Sequence, residues 1–161
     1  MVKEIDWTVS AMSNMPSVLL HDILQLRSEI FVVEQKCIFM DVDGIDPIAL
    51  HLCGHHQGRL LAYARCIPPD VESLEAVIGR IVVRLEIRGR GLGHALVSRA
   101  VQVVRENWGD VGIRIGAQIR LKKFYESHGF LDLQEPYDED GIGHIKMLRH
   151  SQNTNEVDAK C

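Results

Sequence analysis

The sequence predicts a mixed-sheet α/β domain with helices on both faces. Three observations predict it. Two apolar runs, Ile48 to Cys53 and Leu60 to Ile67, flank His55-His56-Gln57-Gly58 and read as an antiparallel hairpin. A later strand, helix and strand, around Ala76 to Arg84, Leu92 to Trp108 and Ile113 to Ala117, reads as a parallel step. Helical apolar patterns stand both before the hairpin and after the third apolar run, so the sheet has a cover for each face.

Each element has its own signal. Ile5, Trp7 and Val9 alternate with polar residues, so residues 4–10 form a short half-buried strand. Ser13 or Asn14 caps a helix with Pro16 in its first turn. Leu19, Ile23, Leu26 and Ile30 follow at helical spacing, and Phe31-Val32-Val33-Glu34-Gln35 carries the pattern to the helix end or just past it. The turn formers Asp41, Asp43, Gly44, Asp46 and Pro47 make residues 36–47 a loop. Pro68-Pro69-Asp70 breaks the second hairpin strand, and Ala76 to Arg84 is the third apolar run. Leu92, Leu96, Ala100, Val103 and Val104 share one face of a helix ending near Trp108-Gly109. Ile113 to Ala117 is a strand. Leu121, Phe124, Tyr125 and His128 mark a short helix stopped by Gly129. Phe130 to Leu133 is a strand, Pro136 to Gly143 an acid-rich loop, and His144 to Leu148 the last strand. Residues 1–150 read as a single domain and 151–161 as a loose polar tail.

Bulk properties narrow the function. A chain of 161 residues buries about 70% of its unfolded surface and needs no staples. Its 46% hydrophobic and 25% charged residues are ordinary for a globular protein. A net charge of −4 gives no general drive toward nucleic acid or an anionic membrane, so any basic function is local. Cys37, Cys53, Cys66 and Cys161 form no Cys-x-x-Cys pair and no Cys/His zinc spacing, so no metal is expected. The first residues lack a secretion-signal core, and no apolar run approaches the roughly 20 residues of a membrane span. The expected setting is a reducing cytoplasm.

The chemistry concentrates where the third apolar run meets the long helix. Gly89, Gly91 and Gly93 let the backbone approach a ligand closely, and the helix opening there offers unpaired N–H groups. With Arg88 and Arg90 these form an anion cradle. A nucleoside-triphosphate loop needs a Lys that is absent. A dinucleotide fingerprint needs a third glycine where His94 stands, which weakens a nucleotide-dependent oxidoreductase reading.

Arg88-Gly89-Arg90-Gly91-Leu92-Gly93 fits the Arg/Gln-x-x-Gly-x-Gly/Ala signature, and the chain resembles the GNAT superfamily of acyl-CoA N-acyltransferases. Phe124-Tyr125-Glu126-Ser127-His128-Gly129-Phe130 resembles that family's Phe-Tyr-x-x-x-Gly-Phe segment. Phe31 to Gln35, Asp41 to Gly44, Tyr63-Ala64-Arg65, Gly116-Ala117-Gln118 and Glu139 to His144 are similar to the bacterial ElaA-like branch. The resemblance covers about residues 5–149. It implies a mostly antiparallel sheet of about six to seven strands, splayed at a coenzyme A slot. It implies acetyl-CoA as co-substrate and an amine as acceptor, and such families commonly form homodimers. The cofactor-binding residues would be Ile81, Val82, Val83, Arg88, Gly89, Arg90, Gly91, Leu92, Gly93, Gln118, Lys122 and Phe124. A backbone N–H near Val83 would polarise the thioester carbonyl, and Tyr125 would protonate the departing thiolate.

The amine also has a proton to lose. Glu34, His51 and His144 are the candidates for the base, with Asp41 and Asp43 behind them. Glu34, Gln35, Asp43, Arg65 and Arg80 are candidates for binding the acceptor. Arg65 and Arg80 interrupt apolar strands, so each either binds an acidic group on the substrate or forms a buried ion pair with Glu34 or an aspartate. No cysteine has an adjacent base that would mark it as a nucleophile. The alternative to an enzyme is an acyl-CoA-binding module without catalysis.

Overall fold

A computed structural model describes residues 4–152. Beyond Gln152, the stretch expected to be a loose tail lies outside the described residues. Seven strands form one sheet: β1 (Asp6–Ala11), β2 (Leu50–His56), β3 (Arg59–Ile67), β4 (Ala76–Val83), β5 (Ile113–Gln118), β6 (Leu131–Glu139) and β7 (Ile142–Arg149). Their order is β1-β2-β3-β4-β5-β7-β6, and every pairing is antiparallel except β4 with β5. The helices are α1 (Ser17–Arg27), α2 (Leu92–Trp108) and α3 (Lys122–Glu126).

The parallel pair does not stay paired. It is joined only at Ala76 with Ile113 and Val77 with Arg114. The cause lies in β4. Tyr63 faces Val82 and Arg65 faces Gly79, so three steps of β4 match two of β3. The strand carries an extra residue there, and Arg80 takes a left-handed φ of 50°. A bulge bends its strand, and β4 and β5 part beyond it.

One apolar cluster joins α1 and the turn after it, through Ile23, Leu26 and Ile30, to Cys53, Leu60, Tyr63 and Val82. The other joins α2, Tyr125 and Phe130 to the opposite sheet face, including Leu52, Ala64, Ile78, Ile115 and Met147. In α2 the buried stripe runs from Leu92 to Val104. Each large apolar side chain there contributes about 1.5–3 kcal/mol of burial, which outweighs the modest helix propensity of its valines.

Four local expectations change. Pro16, not Ser13 or Asn14, precedes the first turn of α1, and Met12–Asn14 is a separate 3-10 turn. After Arg27 the coil widens into a π-helical turn, Ser28–Glu34. Ile48 belongs to a 3-10 turn that starts at Asp46, so β2 begins only at Leu50. The acid-rich loop at 136–143 is instead a hairpin, in which Asp140 and Gly141 both have positive φ, 52° and 84°. Two positive φ values are what a tight two-residue hairpin turn requires. Pro136 fits because β6 is an edge strand with a bulge between Asp132 and Pro136.

Candidate active site

The parting strands enclose a cleft of about 700 Å³, within the roughly 300–1,000 Å³ range of cofactor pockets. Val82, Val83, Arg88, Gly89 and Gly93 line one wall, and Gly116, Gln118, Phe124 and Tyr125 the other. At its end, Gly89 and Gly91 adopt φ of 75° and 84°, a conformation glycine takes without penalty. No side chain caps the first turn of α2, so its N–H groups remain available for an anion.

Of the expected cofactor-binding residues, Ile81, Val82, Val83, Arg88, Gly89, Gly93, Gln118 and Phe124 line the cleft. Gly91 stands at the start of α2, and Arg90 is exposed beside it. Leu92 turns into the core instead, because it begins the buried stripe of α2. Lys122 does not face the cleft; its ammonium lies 3.0 Å from Asp132 and 3.8 Å from Glu126.

Tyr125 reaches the cleft from α3 and is 6% exposed. Its ring meets those of Phe124 and Phe130 edge-on, and its hydroxyl has no hydrogen-bond partner among the described residues. Burial pushes its pKa up to about 12, so the phenol holds its proton at neutral pH.

The three candidate bases have different surroundings. His51 is fully buried and does not line the cleft. Its Nε2 donates to the Asp46 carbonyl at 2.9 Å, and its Nδ1 accepts from the Tyr63 hydroxyl at 2.7 Å. Burial lowers its pKa, and with both nitrogens engaged it has no site for a substrate proton. Glu34 lines the cleft, but Arg88 grips both its oxygens, at 2.6 and 3.2 Å. His144 lines the cleft and is 8% exposed. Its Nδ1 donates to the Ile142 carbonyl at 2.7 Å, which leaves Nε2 as the acceptor of the neutral ring. Glu139 stands 3.4 Å from that Nε2, and the Tyr137 ring stacks on the imidazole at 5.4 Å.

Arg65 and Arg80 also line the cleft, as do Gln35 and Asp43. Both arginines take the ion-pair option, and their partners are aspartates. Arg65 holds both oxygens of Asp43, at 2.7 and 2.8 Å, and reaches Asp46 at 3.1 Å. Arg80 binds Asp41 at 2.8 Å and Asp43 at 3.3 Å. Arg27 completes the group, to Asp41 at 2.8 Å and Asp46 at 2.7 Å. Arg65 hydrogen bonds hold the Asp43 carboxyl well below its ordinary pKa. The loop carboxylates are therefore matched by cations of the chain itself rather than left for an incoming amine. Cys53 and Cys66 are buried thiols whose pKa burial pushes up to about 12, which suits neither as a nucleophile.

Tyr137 and Phe39, which no sequence motif marks, also line the cleft, as does Cys37. Tyr137 falls in the stretch 136–143, whose acids and glycines read as a loop. The missed signal was Asp140-Gly141, a hairpin turn that gives the flanking residues strand alternation. Among the described residues, no three His, Cys, Asp or Glu side chains are placed to hold a metal ion.

A strand pair splayed by a bulge, with a glycine turn opening a helix at its mouth, is the architecture of the GNAT fold. Residues 46–150 match the family model described as an acetyltransferase (GNAT) domain, and the chain belongs to that family. It is similar to the protein ElaA of Escherichia coli K12, 39% identical over 147 residues, covering 90% of this chain and 96% of that protein. The crystal structure of Escherichia coli ElaA superposes with a TM-score of 0.86 over 91% of this chain and all of that one, at 38% identity. An acyl-CoA N-acyltransferase from Pseudomonas aeruginosa superposes with a TM-score of 0.87 at 41% identity, covering 91% of this chain and 99% of that one.

Proposed function

We propose that the chain transfers the acetyl group of acetyl-CoA to a primary amine by direct attack in a ternary complex. The observation that carries this reading is Tyr125: a buried, protonated phenol with an unpartnered hydroxyl on the wall of the cleft. Family membership and the free first turn of α2 support it further.

The cleft fits the co-substrate. The glycine turn and the first turn of α2 would hold its diphosphate, and β4 beyond Val77, unpaired toward β5, would run beside its pantetheine arm. Acetyl-CoA brings an acyl group activated as a thioester. A backbone N–H near Val83 would stabilise charge on the carbonyl oxygen. The carbon–nitrogen bond forms as the carbon–sulfur bond breaks, and Tyr125 gives its proton to the sulfur.

A lysine-like amine of pKa about 10.4 is free base in roughly one molecule in 2,500 at pH 7, so losing its proton costs about 4.6 kcal/mol. His144 Nε2 would accept that proton, and Glu139 would face the imidazolium that results. His51 is spent on Asp46 and Tyr63, and Glu34 on Arg88.

The test is release of free coenzyme A thiol from acetyl-CoA with a panel of primary amines. Amine-dependent release supports the transferase. Binding of acetyl-CoA without release on any amine would favour the non-catalytic module.

A further inference from the structure

Two ion pairs strap the π-helical turn Ser28–Glu34 to the segment between β4 and α2. Glu29 binds Arg84 at 2.8 Å, and Arg84 also donates to the Leu60 carbonyl at 2.7 Å. Glu34 binds Arg88 through both carboxylate oxygens, and the Arg88 Nε donates to the Val83 carbonyl at 2.9 Å. The two pairs differ in place. Glu34, Arg88 and Val83 line the cleft, whereas Glu29 and Arg84 do not. Arg88 is also the first residue of the glycine turn, and unlike the exposed Arg90 within that turn it lines the cleft. A guanidinium has five donors in a fixed fork, and Arg88 commits three of them to Glu34 and Val83. A diphosphate at the turn and the Glu34 carboxylate therefore ask for the same fork.

We infer that Glu34 and the cofactor diphosphate compete for Arg88, so that cofactor binding frees the Glu34 carboxylate in the cleft to face a cationic acceptor. This rests on the coenzyme A reading above. The Glu29–Arg84 pair keeps the turn in place while Arg88 changes partner. Glu34 is then a positioning residue that couples the two substrates: coenzyme A enters first, and the amine meets its counter-charge only afterwards.

The decisive measurement is calorimetric binding of coenzyme A at fixed ionic strength to wild type, Glu34→Gln, Arg88→Gln and the double variant. Glutamine keeps the size of the side chain and removes the competing charge. Glu34→Gln is expected to bind coenzyme A about two- to fivefold more tightly, the scale of a partly exposed ion pair. In the Arg88→Gln background the same change has no effect. In steady state, Glu34→Gln lowers the KM for acetyl-CoA while raising that for whichever amine the release assay identifies, a split that a merely structural role does not produce. Unchanged or weaker binding of coenzyme A by Glu34→Gln overturns the competition, as does equal tightening without Arg88. An unchanged amine KM overturns the coupling to the acceptor. Wild type that fails to bind coenzyme A at all overturns the functional reading itself, and the inference with it.

Discussion

Arg27 and Asp46 form a buried ion pair, Nη1 to Oδ1 at 2.7 Å, with the arginine side chain fully shielded from solvent. The pair ties α1 to the loop before β2, and through Asp46 to Arg65 on β3. Removing one member of such a pair strands the other charge in a poorly solvated place. Arg27→Met is therefore expected to cost about 3–5 kcal/mol, read from the denaturant midpoint. A loss below about 1 kcal/mol would mean that the network behaves as a surface pair.

The same network sets the acid limit of stability. Arg65 hydrogen bonds and charge hold Asp43 low. Burial opposes ionisation of Asp46, but the Arg27 hydrogen bond and charge, with those of Arg65, outweigh it and hold it low as well. Carboxylates depressed in the folded chain stabilise it above their unfolded pKa of about 3.9 and lose that contribution as pH falls through the folded values. Stability measured against pH should thus begin to fall near pH 4 and continue falling below it. Asp43→Asn should flatten part of that slope.

His51 and His144 separate by readout. Tyr63→Phe leaves His51 Nδ1 buried without its donor, at a cost of about 1–3 kcal/mol in stability. His51→Gln is expected to lower stability and leave the turnover of the folded protein nearly in place. His144→Gln is expected to lower turnover about 10²-fold or more, the scale of a lost general base, and leave the fold intact. Loss of turnover with an intact fold in His51→Gln instead would move the base to a buried site.

Tyr137 occupies the space that a Cβ on Gly116 would fill. The conflict falls on the hydroxyl end of the phenol, so Gly116→Ala should push the ring aside at a stability cost below about 1 kcal/mol. A crystal structure of the variant would record a displaced Tyr137, and Tyr137→Phe in the same background should let the ring return.

Much of the fold was legible because its signals are local. The alternation of β1, the hairpin at Gln57-Gly58 and the stripe of α2 each need only neighbouring residues. The antiparallel start and the parallel step followed from connection lengths. The β4 bulge left no independent pattern, because Arg80 reads as a strand residue until its positive φ is known. The family resemblance supplied the splay that results. In the site, the glycine turn and Tyr125 stand in motifs. The choice among bases was not legible, since it depends on what surrounds each group. His51 reads either as a base or as a satisfied sheet histidine until Asp46 and Tyr63 are folded against it. Asp43, a candidate for binding the acceptor, and its neighbours Asp41 and Asp46 look free to meet an amine until three arginines from α1, β3 and β4 arrive at them.

Tyr125 carries the central claim, and the most direct measurement compares wild type with Tyr125→Phe in two assays on the same preparations. One is amine-dependent release of coenzyme A thiol, and the other is coenzyme A binding. The substitution removes only the hydroxyl and keeps the ring against Phe124 and Phe130. Turnover is expected to fall about 10²-fold or more, the scale of a lost general acid, with coenzyme A affinity nearly unchanged. Wild-type turnover in Tyr125→Phe, or no thiol release from wild type with any amine, would contradict the account.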